Sequence, residues 1–206
     1  MTPSPIISSE RLDLISLTPA FLRASLQHDS TTAEALLGLA IPPEWFAEQR
    51  LIQIRLNDLQ QNSALQPWLL RAIGLRHGQV MIGHIGFHTQ PGAEYLRDLA
   101  PGGVEYGYRV FSAFRRQGYA REACEALMRW AYQEHQVTRF VVSIRPDNIP
   151  SRRLAEGFGF KQIGSHMDEE DGLENIYAVD YGTQAGLQPG SGLTGPCKGH
   201  SLRSRP

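Results

Sequence analysis

The sequence predicts an α+β domain of α/β/α type: a mixed, mostly antiparallel twisted sheet of about six to seven strands with flanking helices. Three observations predict it. Short apolar or alternating runs bounded by turn residues recur at residues 11–17, 68–75, 80–88, 104–110, 140–145, 161–167 and 173–181. Helical patterns lie between them, grouped over residues 18–61 and again at 120–136. The length of 206 residues suits one domain with a sizeable core.

In chain order, residues 11–17 read as the first strand, and Thr18-Pro19 supplies an N-cap with proline in the first helical turn. A second helix start is predicted at Thr31, with Glu34 three residues later in capping-box spacing. Pro42-Pro43 introduces a longer pattern through Gln61 in which Phe46, Ile52, Leu56 and Leu59 recur near helical spacing and should pack on the sheet. Residues 68–75 and 80–88 form paired strands joined by Arg76-His77-Gly78-Gln79, where the glycine can supply a positive φ. Alternation places Ile82, His84, Gly86 and His88 on one face. Two histidines at that spacing, with no carboxylate or cysteine beside them in a ligand pattern, argue against a metal site. Residues 89–103, rich in Gly and Pro, are expected to form a mobile loop. Further on, Ala120, Ala123, Cys124, Leu127 and Ala131 make an apolar helical face whose small residues let the helix lie close to the sheet. Cys124 packs there as a small hydrophobe. Residues 161–167 and 173–181 read as a closing hairpin across the acidic turn 168–171.

Composition narrows the function classes. The formal net charge is −1, with 20 basic and 21 acidic residues, so no global field recruits nucleic acid or an anionic membrane. Two cysteines, Cys124 and Cys197, argue against a disulfide framework and a Cys-based zinc site, and make the reducing cytoplasm the expected compartment. No run approaches the roughly 18 apolar residues of a membrane span, and the first 30 residues lack a basic start followed by an apolar run. Neither export nor anchoring is expected. The domain should occupy residues 1–182, with 183–206 a Gly/Pro-rich tail. Six glycines and three prolines over residues 182–206, with few large apolar groups, predict disorder.

The most informative segment is Arg115-Arg116-Gln117-Gly118-Tyr119-Ala120, a glycine turn between the strand at 104–110 and the helix at 120–136. The first turn of a helix carries unpaired N–H groups and partial positive charge, which stabilise phosphate oxygens. Gly118 permits close approach, and Arg115 and Arg116 add forked charge suited to phosphate. Taken alone, the six residues fit a glycine turn with solvated arginines equally well.

Their surroundings carry a resemblance. Arg115, Gly118 and Ala120 fill the Arg/Gln-x-x-Gly-x-Gly/Ala signature of the GCN5-related N-acetyltransferases (GNAT), and the block from Pro146 to Phe160 is similar to that family's Asn-x-x-Ser helix ending in Gly-Phe, through Asn148, Ser151, Gly159 and Phe160. Ser9-Glu-Arg-Leu-Asp-Leu14 resembles the opening strand of the branch that acetylates ribosomal-protein amino termini at alanine or serine. The resemblance covers roughly residues 6–182. It implies a GNAT-like acyl-CoA acyltransferase fold with splayed central strands at 104–111 and 139–145, and acetyl-coenzyme A as co-substrate without a metal. Residues 115–120 would hold its pyrophosphate, Val110 and Phe111 would offer backbone groups to its pantetheine arm, and Asn148 and Ser151 would hold the amide end of that arm. Asn148 also suits a helix cap. The helices of residues 18–61 and the loop at 89–103 would wall and cover the acceptor. A homodimer is compatible with the family.

Relatives that acetylate ribosomal alanine often carry a glutamate and a tyrosine where this chain has Ser143 and Ala155. Glu105 is the substitute candidate base, directly or through water, with an ion pair as its alternative role. Tyr177 is the candidate proton donor to the departing thiolate, with strand packing as its alternative. At pH 7 roughly a tenth of α-amines are neutral against about one lysine in several thousand, so a site without a strong base favours a peptide amino terminus or another weakly basic primary amine. Two further readings have distinct signatures: a non-catalytic coenzyme A sensor that binds without turnover, and a nucleotide triphosphatase, which the missing Gly-Lys-Ser/Thr ending disfavours.

Overall fold

A computed structural model describes residues 4–168 and 172–182. Among these residues there are eight strands: β1 (Ile7–Ser8), β2 (Leu12–Ser16), β3 (Arg71–Leu75), β4 (Met81–Phe87), β5 (Val104–Val110), β6 (Arg139–Ile144), β7 (Lys161–Asp168) and β8 (Gly172–Asp180). They form one sheet in the order β1-β2-β3-β4-β5-β6-β8-β7. Every neighbouring pair is antiparallel except β5 and β6. The expected mixed, mostly antiparallel sheet is therefore present, with the two-residue β1 at one edge and β7 at the other.

Among the described residues six α-helices flank it: α1 (Pro19–Leu26), α2 (Ser30–Leu37), α3 (Pro43–Phe46), α4 (Gln49–Gln61), α5 (Tyr119–His135) and α6 (Ile149–Gly157). Thr18 caps α1 as its sequence predicts, its hydroxyl accepting from the Phe21 N–H at 3.2 Å. The cap of α2 lies two residues earlier than expected. Asp29 accepts from the Thr32 N–H at 3.0 Å, and Glu34 instead accepts from the Ile41 N–H at 2.9 Å. An aspartate outcompetes the capping box because its carboxylate also lies nearest the positive end of the helix. The pattern predicted from Pro42 to Gln61 is broken between Phe46 and Gln49, which lets α3 and α4 turn separately onto the sheet.

The apolar face of α5 buries Ala123, Cys124, Leu127, Met128 and Ala131 against Ile85, Val104, Tyr106 and Phe140, with α6 joining through Ala155 and Phe158. On the opposite face, Phe21, Leu22, Trp45, Ile52, Leu56 and Phe111 form a second core beneath α1 and α4. Trp45 is fully buried and its indole N–H reaches the Ser25 hydroxyl at 2.8 Å, so burying the ring leaves no polar atom unpaired. A third cluster joins Leu96 and Ala100 to Val141, Ile176 and Ala178. It anchors the 89–103 segment, expected as a loose loop, to β6 and β8.

Two local features depart from strict alternation. In the β3–β4 turn Gln79, not Gly78, takes the positive φ, at 47°. In β4 the register passes from Ile73↔Gly83 to Gly74↔Met81, so Ile82 is an extra residue. That bulge moves Ile82 to the α5 face, away from His84 and His88. No described helix is long and apolar enough to cross a membrane. The tail predicted for 183–206 lies outside the described residues, as does the turn 169–171.

Candidate functional site

After β5 the chain makes a short 3-10 turn at Ser112–Phe114, whose Ser112 N–H donates to Glu44 at 2.9 Å, and then bends into α5. Arg116 and Gly118 both have positive φ, 62° and 83°. Left-handed residues so close together curl the backbone into a concave arc with its N–H groups on the inside. Gly118 is the N-cap of α5, and no side chain caps that helix. Among the described residues the N–H groups of residues 116–121 have no acceptor, the first paired donor being Glu122, which reaches the Gly118 carbonyl at 3.1 Å. Unpaired donors at the positive end of a 17-residue helix suit an anion.

The arc is strapped from the far end of the sheet. Arg11 donates from Nε to Glu122 at 2.6 Å and from Nη1 to the Gln117 carbonyl at 3.1 Å, and its guanidinium lies 4.5 Å over the Tyr119 ring. Ser9 adds a 2.8 Å hydrogen bond to the same carboxylate. Burial raises the Glu122 pKa, but the bonds from Arg11 and Ser9 together hold it below the usual range. A cavity of about 350 Å³ opens beside the arc, lined in part by Arg11, Gly118, Arg121 and Arg129.

The other predicted turn residues divide by role. Arg115 points back, its Nε donating to the Val110 carbonyl at 2.9 Å, while Arg116 and Gln117 are exposed. Tyr119 and Ala120 form the first turn of α5. The Phe111 N–H is spent in the sheet on the Ile82 carbonyl at 2.8 Å, and its ring is in the α1/α4 core.

β5 and β6 pair only through Val104↔Phe140 and Glu105↔Val141, and then part. Because Glu105 and Phe111 direct backbone groups to β4, alternation turns those of Tyr106, Tyr108 and Val110 toward the gap. α6 stands across it. Asn148 caps α6 by accepting from the Ser151 N–H at 3.2 Å, and the Ser151 hydroxyl hydrogen-bonds Tyr108, whose phenol burial nevertheless pushes its pKa up. Between Tyr106, Tyr108, Val142 and Ser151 remains a cavity of about 10 Å³, room for about one water.

On the α1/α4 side of the fork lies a polar patch. Glu105 is buried, 3.5 Å from His88 Nδ1, and the Ser143 and Tyr95 hydroxyls also bond its carboxylate. Burial alone would raise its pKa; the donors from His88, Ser143 and Tyr95 reverse that and bring it down to about 2. Farther along, Arg109 forms an ion pair with Glu48, whose other oxygen is 4.0 Å from His84 Nε2. Burial, reinforced by the Arg109 charge, lowers His84 to about 4, and Trp45 and Phe111 flank its ring.

The fold thus brings Glu105 and Ser143 together but leaves Tyr177 apart. Tyr177 pairs with Val142 and is buried on the α5 face, opposite Glu105. Sequence reasoning missed Arg11, Tyr95 and the Glu105 contact of His88, because no local pattern in the sequence marks any of these pairings.

Residues 11–161 match the acetyltransferase (GNAT) domain family. The chain is 29% identical over 90 residues to an uncharacterised N-acetyltransferase of Bacillus subtilis; the match covers 44% of this chain and 48%, about half, of that relative. It is 23% identical over 168 residues to the FsC-acetyl coenzyme A-N(2)-transacetylase of Aspergillus fumigatus, covering 81% of this chain and 69% of the other. Its fold is similar to that of a ribosomal alpha-N-protein acetyltransferase in complex with coenzyme A, with a TM-score of 0.57, 20% identity and coverage of 85% of this chain and 98% of that one.

Proposed function

The chain belongs to the GNAT acetyltransferase family, and on that premise we propose that it moves an acetyl group from acetyl-coenzyme A to a primary amine by direct attack in a ternary complex. One observation carries the reading: the unpaired amides of residues 116–121 lie at the end of β5, the strand whose N–H groups at Tyr106, Tyr108 and Val110 face an open fork. A phosphate group in the arc and an amide-bearing arm along β5 would occupy both sets of donors. Arg115, Arg116, Gln117, Gly118, Tyr119 and Ala120 would hold the pyrophosphate, Val110 the arm, and Asn148 and Ser151 its amide end. The narrow space beside Tyr108 implies that the Tyr108–Ser151 contact opens when the arm enters.

The acceptor we propose is a peptide α-amine, as in the ribosomal acetyltransferase of similar fold, or a small amine of similar basicity. The polar patch supports this choice through its scarcity of free negative charge. Glu105 is enclosed by His88, Ser143 and Tyr95, and Glu48 by Arg109, which leaves neither carboxylate free to deprotonate a lysine ammonium, a much weaker acid than a protonated α-amine.

Titration with acetyl-coenzyme A tests the reading. At 100 times its Kd the ligand stabilises the fold by about 2.7 kcal/mol, visible as a rise in Tm. Gly118→Val, which places a β-branched residue at φ 83°, should abolish that rise. Absence of any shift in the unaltered protein at millimolar ligand would sink the proposal. Binding without thiol release across a panel of amines would turn the reading into the non-catalytic coenzyme A module.

A further inference from the structure

We propose that His88 is the general base for the acceptor amine: its imidazole, oriented at Nδ1 by the Glu105 carboxylate, takes the proton at Nε2. The inference rests on the acetyl-transfer reading above. Geometry separates the two members of the pair. The Glu105 side chain is only 7% exposed and enclosed by its donors, whereas that of His88 is 42% exposed. The carboxylate is nearly closed off from an incoming amine, whereas the imidazole is open to solvent. A Cβ on Gly107 would lie 3.1 Å from His88 Nε2, so that nitrogen rests on bare β5 backbone, two residues past the last β5–β6 pair. The proton acceptor therefore stands where the fork begins.

The backbone that carries the ring is held from each side. The His88 N–H donates to the Glu105 carbonyl at 2.9 Å, and the His88 carbonyl accepts from Arg55 of α4 at 3.0 Å. Asp58 pairs with that arginine at 2.9 Å. Ser143 from β6 and Tyr95 from the 94–96 turn act on the imidazole through Glu105. A carboxylate this well supplied with donors is a poor proton acceptor itself but a good orienting partner, since it fixes one ring nitrogen as the donor and leaves the other basic. His84 has no such opening, being only 6% exposed behind Trp45 and Phe111.

In the step so assigned, the ammonium acceptor gives one proton to Nε2, which later releases it to solvent. The freed lone pair forms the C–N bond to the acetyl carbon. The C–S bond breaks with its electrons on sulfur, and the second nitrogen proton ends on that sulfur. An amide and a free thiol result, and Glu105 stays ionised throughout.

The test uses the purified protein, acetyl-coenzyme A, peptide α-amines and small primary amines, with thiol release followed against pH. His88→Gln should lower kcat by about 100-fold or more, change the KM for acetyl-coenzyme A less than about twofold, and abolish the acidic limb of the wild-type profile. His88→Ala should regain activity with added imidazole, a response that a purely structural histidine does not give. Glu105→Gln should reduce kcat with acetyl-coenzyme A binding retained. His88→Gln turning over at the wild-type rate with an unchanged pH profile overturns this inference alone. Wild-type protein that acetyl-coenzyme A leaves thermally unchanged overturns the acetyl-transfer reading and this inference with it.

Discussion

On one face of β5, Val104, Tyr106 and Val110 lie beneath α5 with Cys124, Leu127 and Met128; one residue along, on the other face, Glu105, Gly107 and Arg109 meet His88, His84 and Glu48. The first surface is closed by apolar contact, which does not change with pH. The second is closed by charges and hydrogen bonds whose strength depends on protonation. One strand of period two therefore packs the core from one side and carries the titratable groups of the candidate site on the other, and of its two faces the second should be the more sensitive to acid.

The contrast breaks first in the apolar half. Phe140 is fully buried between Phe87 and Tyr181, so Phe140→Ala should cost about 4 kcal/mol by urea denaturation, equally at pH 5 and pH 8. In the polar half, His84 is held near 4 by burial and Arg109 against 6.5 when free. The unfolded chain then takes up a proton that the folded one excludes. Stability present above pH 6.5 is lost toward pH 4, by up to roughly 3 kcal/mol, and His84→Leu should flatten that slope. Glu105 acts in the next window down. Its folded pKa of about 2 lies below the usual 4.5, so its contribution is complete above pH 4.5 and disappears as pH falls toward 2. The difference is again roughly 3 kcal/mol, and Glu105→Gln should lack it in a pH series of urea midpoints. The smallest effect sharpens the apolar side. The Tyr106 hydroxyl hydrogen-bonds the Met128 sulfur at 3.8 Å and Cys124, both weak sulfur partners, and Tyr106→Phe should cost under about 1 kcal/mol. A larger loss would mean that a polar contact supports that face too.

The same division governs what could be read from the sequence. The arc at 115–120 is contiguous and made of backbone, so one glycine and the helix after it announced it. The strands of the α5 side were legible because burial there follows alternation. The polar patch was not, since Glu105, His88, Ser143 and Tyr95 come from four separate stretches whose register only the folded sheet sets. The sequence marks Glu105 as a carboxylate on the strand before the turn, but nothing local shows that His88 faces it. Alternation alone puts Ile82 with the histidines, because a bulge has no signature in a short apolar run, and Gln79 takes the turn's positive φ although Gly78 stands beside it.

The two-pair junction of β5 and β6 has a consequence for selectivity. Beyond it the sheet has a bonding edge in its own interior, roofed by helices rather than presented at the rim. A rim edge invites any strand from any chain. An edge recessed between two diverging strands admits a slender guest with amides of its own and turns away a folded neighbour, so the danger of sticky backbone and its usefulness are separated by depth alone.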